Sequence, residues 1–533
     1  MAKTAIFQKS RRCLRPGYPS GLMSCKHMAM KRRSVSAFDI HLFRRIPRPR
    51  LQRHTAVTFR RIEGYCFRRR FAMTGGSDSG WHGAKRPTTC RPQNDFGWTM
   101  RNNLLPVAAL LLGTLFLFLG NGLLGLLLPV RGTAEGYPTT ILGLIGTSWA
   151  SGFVLGCFFA PNVVKRIGHV RAFSVFTALI AIVSLLTGMM IDPIWWLALR
   201  ALTGFSTAGT SMIIESWLNE RATNESRGVI FSLYIAITLF GVVGGQMMIP
   251  FGETGTTFFF MICGILYCVA MLPTLLSKAA SPTPLKQVRL DLRGLYRNSP
   301  VSFLGILLIG IANGAFGTLG AVFGRQAGLS DSTVAAMMSV AIFSGAVMQL
   351  PAGRISDRVD RRYVLAVLAG VGALAGLLLF LVEPGQVWIV LTLIAVYGAA
   401  ANALYPIAVS HANDFATAED FVKVSGGLLL LYGIGTIIGP TIGGPVMTAT
   451  GPYGLFMITA CAHMLITAYA IIRSRRRAPV PVAERETFSP VNAGAPTTPE
   501  SLQLSPRAAP FEETRGDIVD DPEEEEERAN EPV

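Results

Sequence analysis

Charge is scarce in this chain. Asp, Glu, Lys and Arg make up 15% of its 533 residues, where a soluble domain carries about 25%, and half of the residues are hydrophobic. So little charge cannot cover a water-exposed surface of that length. Cysteine supplies no framework either. Eight are present, no Cys-x-x-Cys pair occurs, and no His stands beside them at a zinc spacing, so neither a disulfide scaffold nor a metal site is expected. A phosphate-binding loop, a Ser/His/Asp nucleophile set and a paired-carboxylate site are missing as well. Their absence argues against an enzyme and against any cofactor.

The net charge of +17 looks like a nucleic-acid signal until it is placed. Residues 1–99 hold 22 Lys/Arg against 4 Asp/Glu, and the remainder is close to neutral. The basicity belongs to an appendage, and no nucleic-acid partner is expected. That appendage contains no uninterrupted run of about 20 apolar residues, the length needed to cross a bilayer. Its Arg pairs and triplets fit an organelle transit peptide or a basic arm held at an anionic membrane surface. They also fit an over-extended start, since Met73 and Met100 are in frame and Met100 directly precedes the first apolar run; this is the reading preferred here, with residues 1–99 as a disordered extension.

What is present is a duplication. Asn121-Gly122-x2-Gly125 returns as Asn313-Gly314-x2-Gly317. Ser216-x2-Asn219-Glu220-x-Ala222-Thr223-x-Glu225 returns as Ser410-x2-Asn413-Asp414-x-Ala416-Thr417-x-Glu419, and Tyr234-x3-Thr238-x2-Gly241-x3-Gly245 as Tyr432-x3-Thr436-x2-Gly439-x3-Gly443. The order is kept and the offset is nearly constant. A long, duplicated, apolar chain points to a secondary transporter built from two membrane-embedded repeats.

Twelve apolar runs are long enough to span as helices: 104–128, 139–161, 172–191, 194–217, 228–250, 256–276, 301–323, 332–353, 363–382, 386–410, 422–447 and 453–473. They predict an all-α membrane protein with six helices in 100–276, a linker at 277–300, six more in 301–473, and a disordered acidic tail at 474–533. About nineteen Lys/Arg follow the even-numbered runs, whereas Arg131 and Arg325 alone follow the odd-numbered ones. Positive loops stay inside, so both termini are expected in the cytoplasm.

Gly353-Arg354-Ile355-Ser356-Asp357-Arg358-Val359-Asp360-Arg361-Arg362 resembles the Gly-x3-Asp-Arg-x-Gly-Arg-Arg loop of the major facilitator superfamily, with Asp360 where Gly is usual. The first-half counterpart, Pro161 to His169, is degenerate, with Lys165 at the acidic position. Arg200-x3-Gly204 is similar to another element of that family, and Gly435-x3-Gly439-Pro440-x2-Gly443-Gly444 to its antiporter-associated glycine motif, which is usually diagnostic in the fifth helix, where this chain has no Pro. Ile214-Glu215-Ser216-Trp217-Leu218-Asn219 resembles the YcaD-like subgroup. The resemblance covers roughly residues 104–473. It implies a multi-pass transporter working by alternating access, in which the loop of Asp357, Arg358, Arg361 and Arg362 latches the outward-facing state as a cytoplasmic gate. A bacterial inner membrane is the expected location and a monomer the expected state. The resemblance is silent on substrate.

Ionisable residues are costly inside lipid and face a cavity or a partner by default. Arg200, Thr203, Thr207, Ser211 and Glu215 fall near one line of a helix, a polar stripe about 22 Å long. Arg200 then binds a polar or anionic substrate group or pairs with a coupling acid; alternatively it braces a helix contact. Glu215 is either a protonatable coupling group or an acid at headgroup level paired with Arg221 or Arg227. Asn121 and Asn313 occupy equivalent places, as substrate ligands or as a packing pair between the halves, and Asn402 and Tyr405 extend the candidate pathway. Gly241, Gly245, Gly439, Pro440 and Gly443 read as helix-packing seams. The function expected is transport of a small molecule, with proton coupling open and export favoured over uptake. A transporter-like sensor or scaffold signalling through its tails is the alternative.

Overall fold

Apolar runs that must cross about 30 Å of hydrocarbon can satisfy their own backbone only as helices or closed barrels, and here they form helices. The computed structural model describes residues 95–222, 226–276, 292–416 and 421–476, with Ala478, Val480, Pro481, Arg485, Phe488, Pro490 and Thr498 beyond them. The expectations for residues 1–94, for most of the linker and for most of the tail lie outside the described residues.

Among the described residues each expected run is a helix. They are α1 (Asp95–Ala134), α2 (Thr139–Ile167), α3 (His169–Met189), α4 (Pro193–Arg221), α5 (Arg227–Gln246), α6 (Phe258–Leu276), α7 (Pro300–Gln326), α8 (Asp331–Arg358), α9 (Arg361–Val382), α10 (Val387–Asn413), α11 (Phe421–Thr450) and α12 (Gly454–Arg476). A short helix, Leu292–Asn298, precedes α7. Several boundaries have a local cause. The Asp192 carboxylate accepts from the N–H groups of Ile194 and Trp195, with Pro193 at the first helical position; such a cap contributes about 1 kcal/mol. Ser330 caps α8 through the Thr333 N–H, and Asp360 caps α9 through the Arg362 N–H. Between α2 and α3 the chain turns at Gly168 with φ +82°, a conformation natural only to glycine. The helices outrun the apolar stretches: α1 starts at Asp95, ahead of the expected Asn102–Leu104, and α2 continues through Pro161 to Ile167.

Eleven of these helices are long and apolar enough to cross a membrane, with mean hydropathy between 1.5 and 2.7. The exception is α4. Every residue from Ser206 to Glu215 in it is buried. A helix surrounded by other helices has no lipid-facing side to keep apolar, and α4 fills these positions with Ser, Thr and Gly as readily as with Met and Ile.

The pairings run in parallel through the chain. In the first half α1 packs on α5 and α6, α2 on α4, and α3 on α4 and α6; in the second α7 packs on α11 and α12, α8 on α10, and α9 on α10 and α12. The α2–α4 pair closes glycine to backbone in both directions, Gly152 against Ala201 and Gly204 against the Trp149 carbonyl. In the α8–α10 pair Gly398 closes on the Ala341 backbone, and Gly345 meets the Asn402 side chain and the Gly398 carbonyl. Gly241 and Gly245 press α5 onto Phe118 and the Leu119 carbonyl of α1. Gly439 and Gly443 press α11 onto the Ile311 carbonyl and Leu319 of α7, while the Pro440 carbonyl receives Gly143 of α2. Large apolar side chains such as Phe159, Ile182, Phe240, Val367 and Leu381 remain exposed, as expected of faces meant for lipid rather than water.

Candidate functional site

Short connections reverse the chain at the described turns. One end of the bundle therefore carries Lys165, Arg166, Arg221, Arg354 and Arg358, and the other carries Tyr137, Asp192 and Asp331. The polar side chains gather at four depths between these basic and opposite ends.

At the opposite end the two halves are bonded directly. Gln326 Nε2 donates to Thr139 Oγ1 at 3.0 Å, and Ser339 Oγ to Gln246 Oε1 at 2.9 Å. Thr147 Oγ1 lies 2.9 Å from Thr441 Oγ1. A charged chain runs alongside. Arg131 pairs with Glu135 at 2.5 Å and donates to the Thr254 carbonyl at 3.2 Å. The Thr254 hydroxyl donates to Asp331 Oδ2 at 2.5 Å, and Asp331 Oδ1 pairs with Arg325 at 2.8 Å. The two arginines that entered the sequence reading only as the basic residues of the odd-numbered loops are thus the ends of one network spanning both halves.

Further in, α4 carries Arg200, half-buried over the Trp149 ring at 5.8 Å from its centroid. Its Nε has no hydrogen-bond partner among the described residues. Tyr267 and Cys263 of α6 share its electrostatic surroundings. The Tyr267 hydroxyl donates to Asn121 Oδ1 at 3.0 Å, which joins α6 to α1. In the second half Asn313 lies beside Tyr432, and the Tyr432 ring meets Tyr405 edge-on at 4.9 Å.

The rest of the α4 stripe is buried. Thr203 donates to the Leu199 carbonyl and Thr207 to the Thr203 carbonyl, both at 2.8 Å, so these hydroxyl protons serve their own helix. Ser211 is fully buried, with no partner for its Oγ among the described residues. Asn402 is engaged between helices: its Nδ2 donates to the Ala341 and Gly398 carbonyls at 3.1 Å, and its carbonyl accepts from Gln349 at 3.4 Å.

Nearer the basic end sits Glu215, 0% exposed. Its Oε1 accepts from the Tyr234 hydroxyl of α5 at 2.9 Å. Its Oε2 accepts from the Thr498 backbone N–H at 3.3 Å and from the Thr498 hydroxyl. The sequence places Thr498 in a disordered tail. Here the Thr498 N–H and hydroxyl are two of the three donors around this buried carboxylate.

At the basic end itself Arg361, 1% exposed, pairs with Asp414 at 2.8 Å and Asp357 at 3.3 Å and donates to Ser356 Oγ at 3.2 Å. Arg362 pairs with Asp360 at 2.7 Å and donates to the Arg473 carbonyl at 3.1 Å. Arg358 is exposed. Burial works against the Asp360 carboxylate, but the bonds from Arg362 outweigh it and hold the group below the usual carboxylate range. The Asp at the family's glycine position thus caps a helix and binds an arginine. Sequence reasoning quoted Asp414 within the second copy of the Asn-Glu/Asp repeat but missed it as a site residue. It also missed Trp149, Tyr267, Thr254 and Asp331, which no periodicity marks.

The model of the Major Facilitator Superfamily matches residues 110–346 and, separately, 302–519. Among curated proteins, an uncharacterized MFS-type transporter of Enterobacter sp. (strain 638) is 28% identical over 385 residues, which is 71% of this chain and 98% of that one. The uncharacterized MFS-type transporter YcaD of Escherichia fergusonii is 27% identical over 383 residues, with the same coverage. Among solved structures, the crystal structure of the nucleoside transporter NupG superimposes with a TM-score of 0.58 at 16% identity, covering 69% of this chain and 98% of that one. A bacterial homolog of the human lysosomal transporter Spinster, in an inward-facing and occupied conformation, gives 0.57 at 16%, covering 72% and 98%.

Proposed function

Because the chain belongs to the Major Facilitator Superfamily and is a multi-pass membrane transporter rather than an enzyme, we propose that it carries a small organic molecule by alternating access between two six-helix repeats. The double match of the family model, the parallel helix pairings and the glycine contacts at corresponding places support the repeat. On this reading α4 is the twelfth span, the basic end is cytoplasmic with both termini, and the protein works as a monomer in the bacterial inner membrane.

The observation that carries the site is Arg200. A guanidinium held inside the bundle, stacked on Trp149 and with a buried donor left over, calls for an acceptor that the described residues do not supply. The substrate class that fits is a small molecule with an anionic or strongly polar acceptor group and a flat or apolar body. The acceptor group meets Arg200, and the body lies between the Asn121–Tyr267 pair and the Asn313–Tyr432–Tyr405 cluster. Glu215 is the coupling group, alternating between a proton and its hydrogen-bond donors. The α11 glycine motif points to export.

A ligand panel on the purified full chain tests the site. Organic anions should raise its melting temperature more than their neutral amides or alcohols do, and Arg200→Lys should abolish that difference without lowering the unliganded value. Equal shifts for charged and neutral members would move the site away from Arg200.

A further inference from the structure

The turn between α2 and α3 is the first-half counterpart of the Asp357 loop, with different charges at the same places. Along the two copies Lys165 stands at the place of Asp357 and His169 at that of Arg361. His169 opens α3 as Arg361 opens α9. The repeat of Ser216 to Glu225 in Ser410 to Glu419 likewise sets Glu220 at the place of Asp414. In the second half these places hold an ion pair, Arg361 to Asp414 at 2.8 Å. In the first half they hold a histidine and a glutamate.

Packing brings the two onto one side. The Phe173 ring of α3 meets Trp217 of α4 at 6.2 Å between centroids. These helices run antiparallel, so His169, four residues before Phe173, and Glu220, three after Trp217, each lie one turn nearer the basic end. His169 is 4% exposed, and its Nε2 has no hydrogen-bond partner among the described residues. Glu220 lies at the surface and acts on it electrostatically. Lys165 and Arg166 of α2, Arg171 of α3 and Arg221 of α4 stand at the same end. The α6 helix, also packed on α3, brings Cys263, Tyr267 and Cys268 but no charged side chain. Glu215, the other acid on this part of α4, is held by Tyr234 and Thr498. Glu220 is thus the carboxylate that a charged His169 can meet.

We propose that His169 and Glu220 are a proton-operated version of the Arg361–Asp414 clamp. Protonated, His169 donates from Nε2 to the Glu220 carboxylate and ties the start of α3 to the end of α4; neutral, it lets go. Imidazole takes its charge at about pH 6.5, and a glutamate is ionised above about pH 4.3. The tie is therefore closed between those values and opens as pH rises through the upper one. The second-half clamp has no such step, because a guanidinium stays charged throughout. Glu220 lies five residues beyond Glu215 on α4, about 7.5 Å along the axis, so acid at the basic end steadies the part of α4 that carries the coupling group. The tie stands on the fold alone; its bearing on transport rests on the function proposed above.

Hydrogen exchange of the full chain in lipid nanodiscs tests the tie, read by mass spectrometry on peptides spanning residues 162–172 and corrected for the intrinsic pH dependence of exchange. Protection of this turn should be about threefold higher at about pH 5.5 than at about pH 7.5, the scale of a half-exposed ion pair on either side of the imidazole value. His169→Arg should give the high value at both pH values and Glu220→Gln the low value at both, with melting temperatures near the parent's. Peptides spanning Asp357 to Arg361 should show no step in any of the three chains. A parent turn without a pH step overturns the tie, and the parent chain alone decides that outcome. A step that survives Glu220→Gln or His169→Arg overturns it as well. Exchange needs no substrate. A parent chain that shows the step but carries no solute at either pH would overturn the transport reading and leave the tie standing.

Discussion

Arg200 and Glu215 lie on the same buried helix but make opposite demands. Arg200 holds a donor in reserve, and Glu215 is saturated with donors. Replacing Arg200 with Lys keeps the charge but loses the planar fork and the stacking on Trp149. Flux in proteoliposomes should fall at least tenfold while yield and melting temperature stay within error; retained flux would mark the arginine as a brace. Glu215→Gln keeps the shape and removes the titrating group. Substrate exchange should persist while accumulation driven by a pH gradient is lost, and unchanged accumulation would remove Glu215 from coupling. Asp360 titrates outside this range. Its folded-state value is lowered, so its stabilising bond to Arg362 is complete above the unfolded-state value of about 3.9 and is lost only as pH falls through the lower folded value. The pH dependence of transport between 5 and 8 should therefore be the same in Asp360→Asn as in the parent chain.

At the scale of the element, helix pairing depends on glycine. A side chain at Gly204 would enter the Trp149 carbonyl of α2, and one at Gly398 would enter Ala341 of α8. Gly204→Val should therefore cost most of the folded yield in a detergent-stability assay, because backbone cannot move aside as a side-chain end can. Gly255→Ala, with open space around it, should be neutral, and equal losses at both would refute this account. The elements themselves were largely legible: the expected run 194–217 became Pro193–Arg221, and 332–353 became Asp331–Arg358. Apolar length sets helix existence, whereas the overshoot at the ends comes from polar residues that a helix tolerates outside lipid. The candidate site was legible only in part. Arg200 and Glu215 stood out because charge is rare in such runs. Trp149, Tyr267 and Asp331 did not, because their roles arise from pairing across elements distant in the chain. Thr498 was hidden by a Pro-rich polar context with no period to read.

At the scale of the whole molecule, the direct bonds between halves described above, Gln326 to Thr139, Ser339 to Gln246 and Thr254 to Asp331, belong to the opposite end. Removing one should favour the arrangement in which that end opens. In Asp331→Ala, a cysteine at Gln246 should react several-fold faster with a membrane-impermeant thiol reagent than in the parent background, and no change would mean that the network is incidental to gating. The same chemistry checks orientation: a cysteine near Tyr137 should label from outside intact cells, and one near Lys286 should be protected.

The buried polar interior of α4 also bears on how the chain is made. A helix whose composition suits the company of other helices is a poor candidate for insertion on its own, since the insertion machinery reads hydrophobicity one segment at a time. During synthesis α4 would have to wait at the interface, or enter as a hairpin with the strongly apolar α3, and complete its crossing only when α2 arrives to cover Gly204. In an insertion assay the α4 segment alone should largely fail to integrate, while α3 and α4 together should succeed. The residues proposed to line the route through the membrane are thus the ones that make the chain hardest to put there.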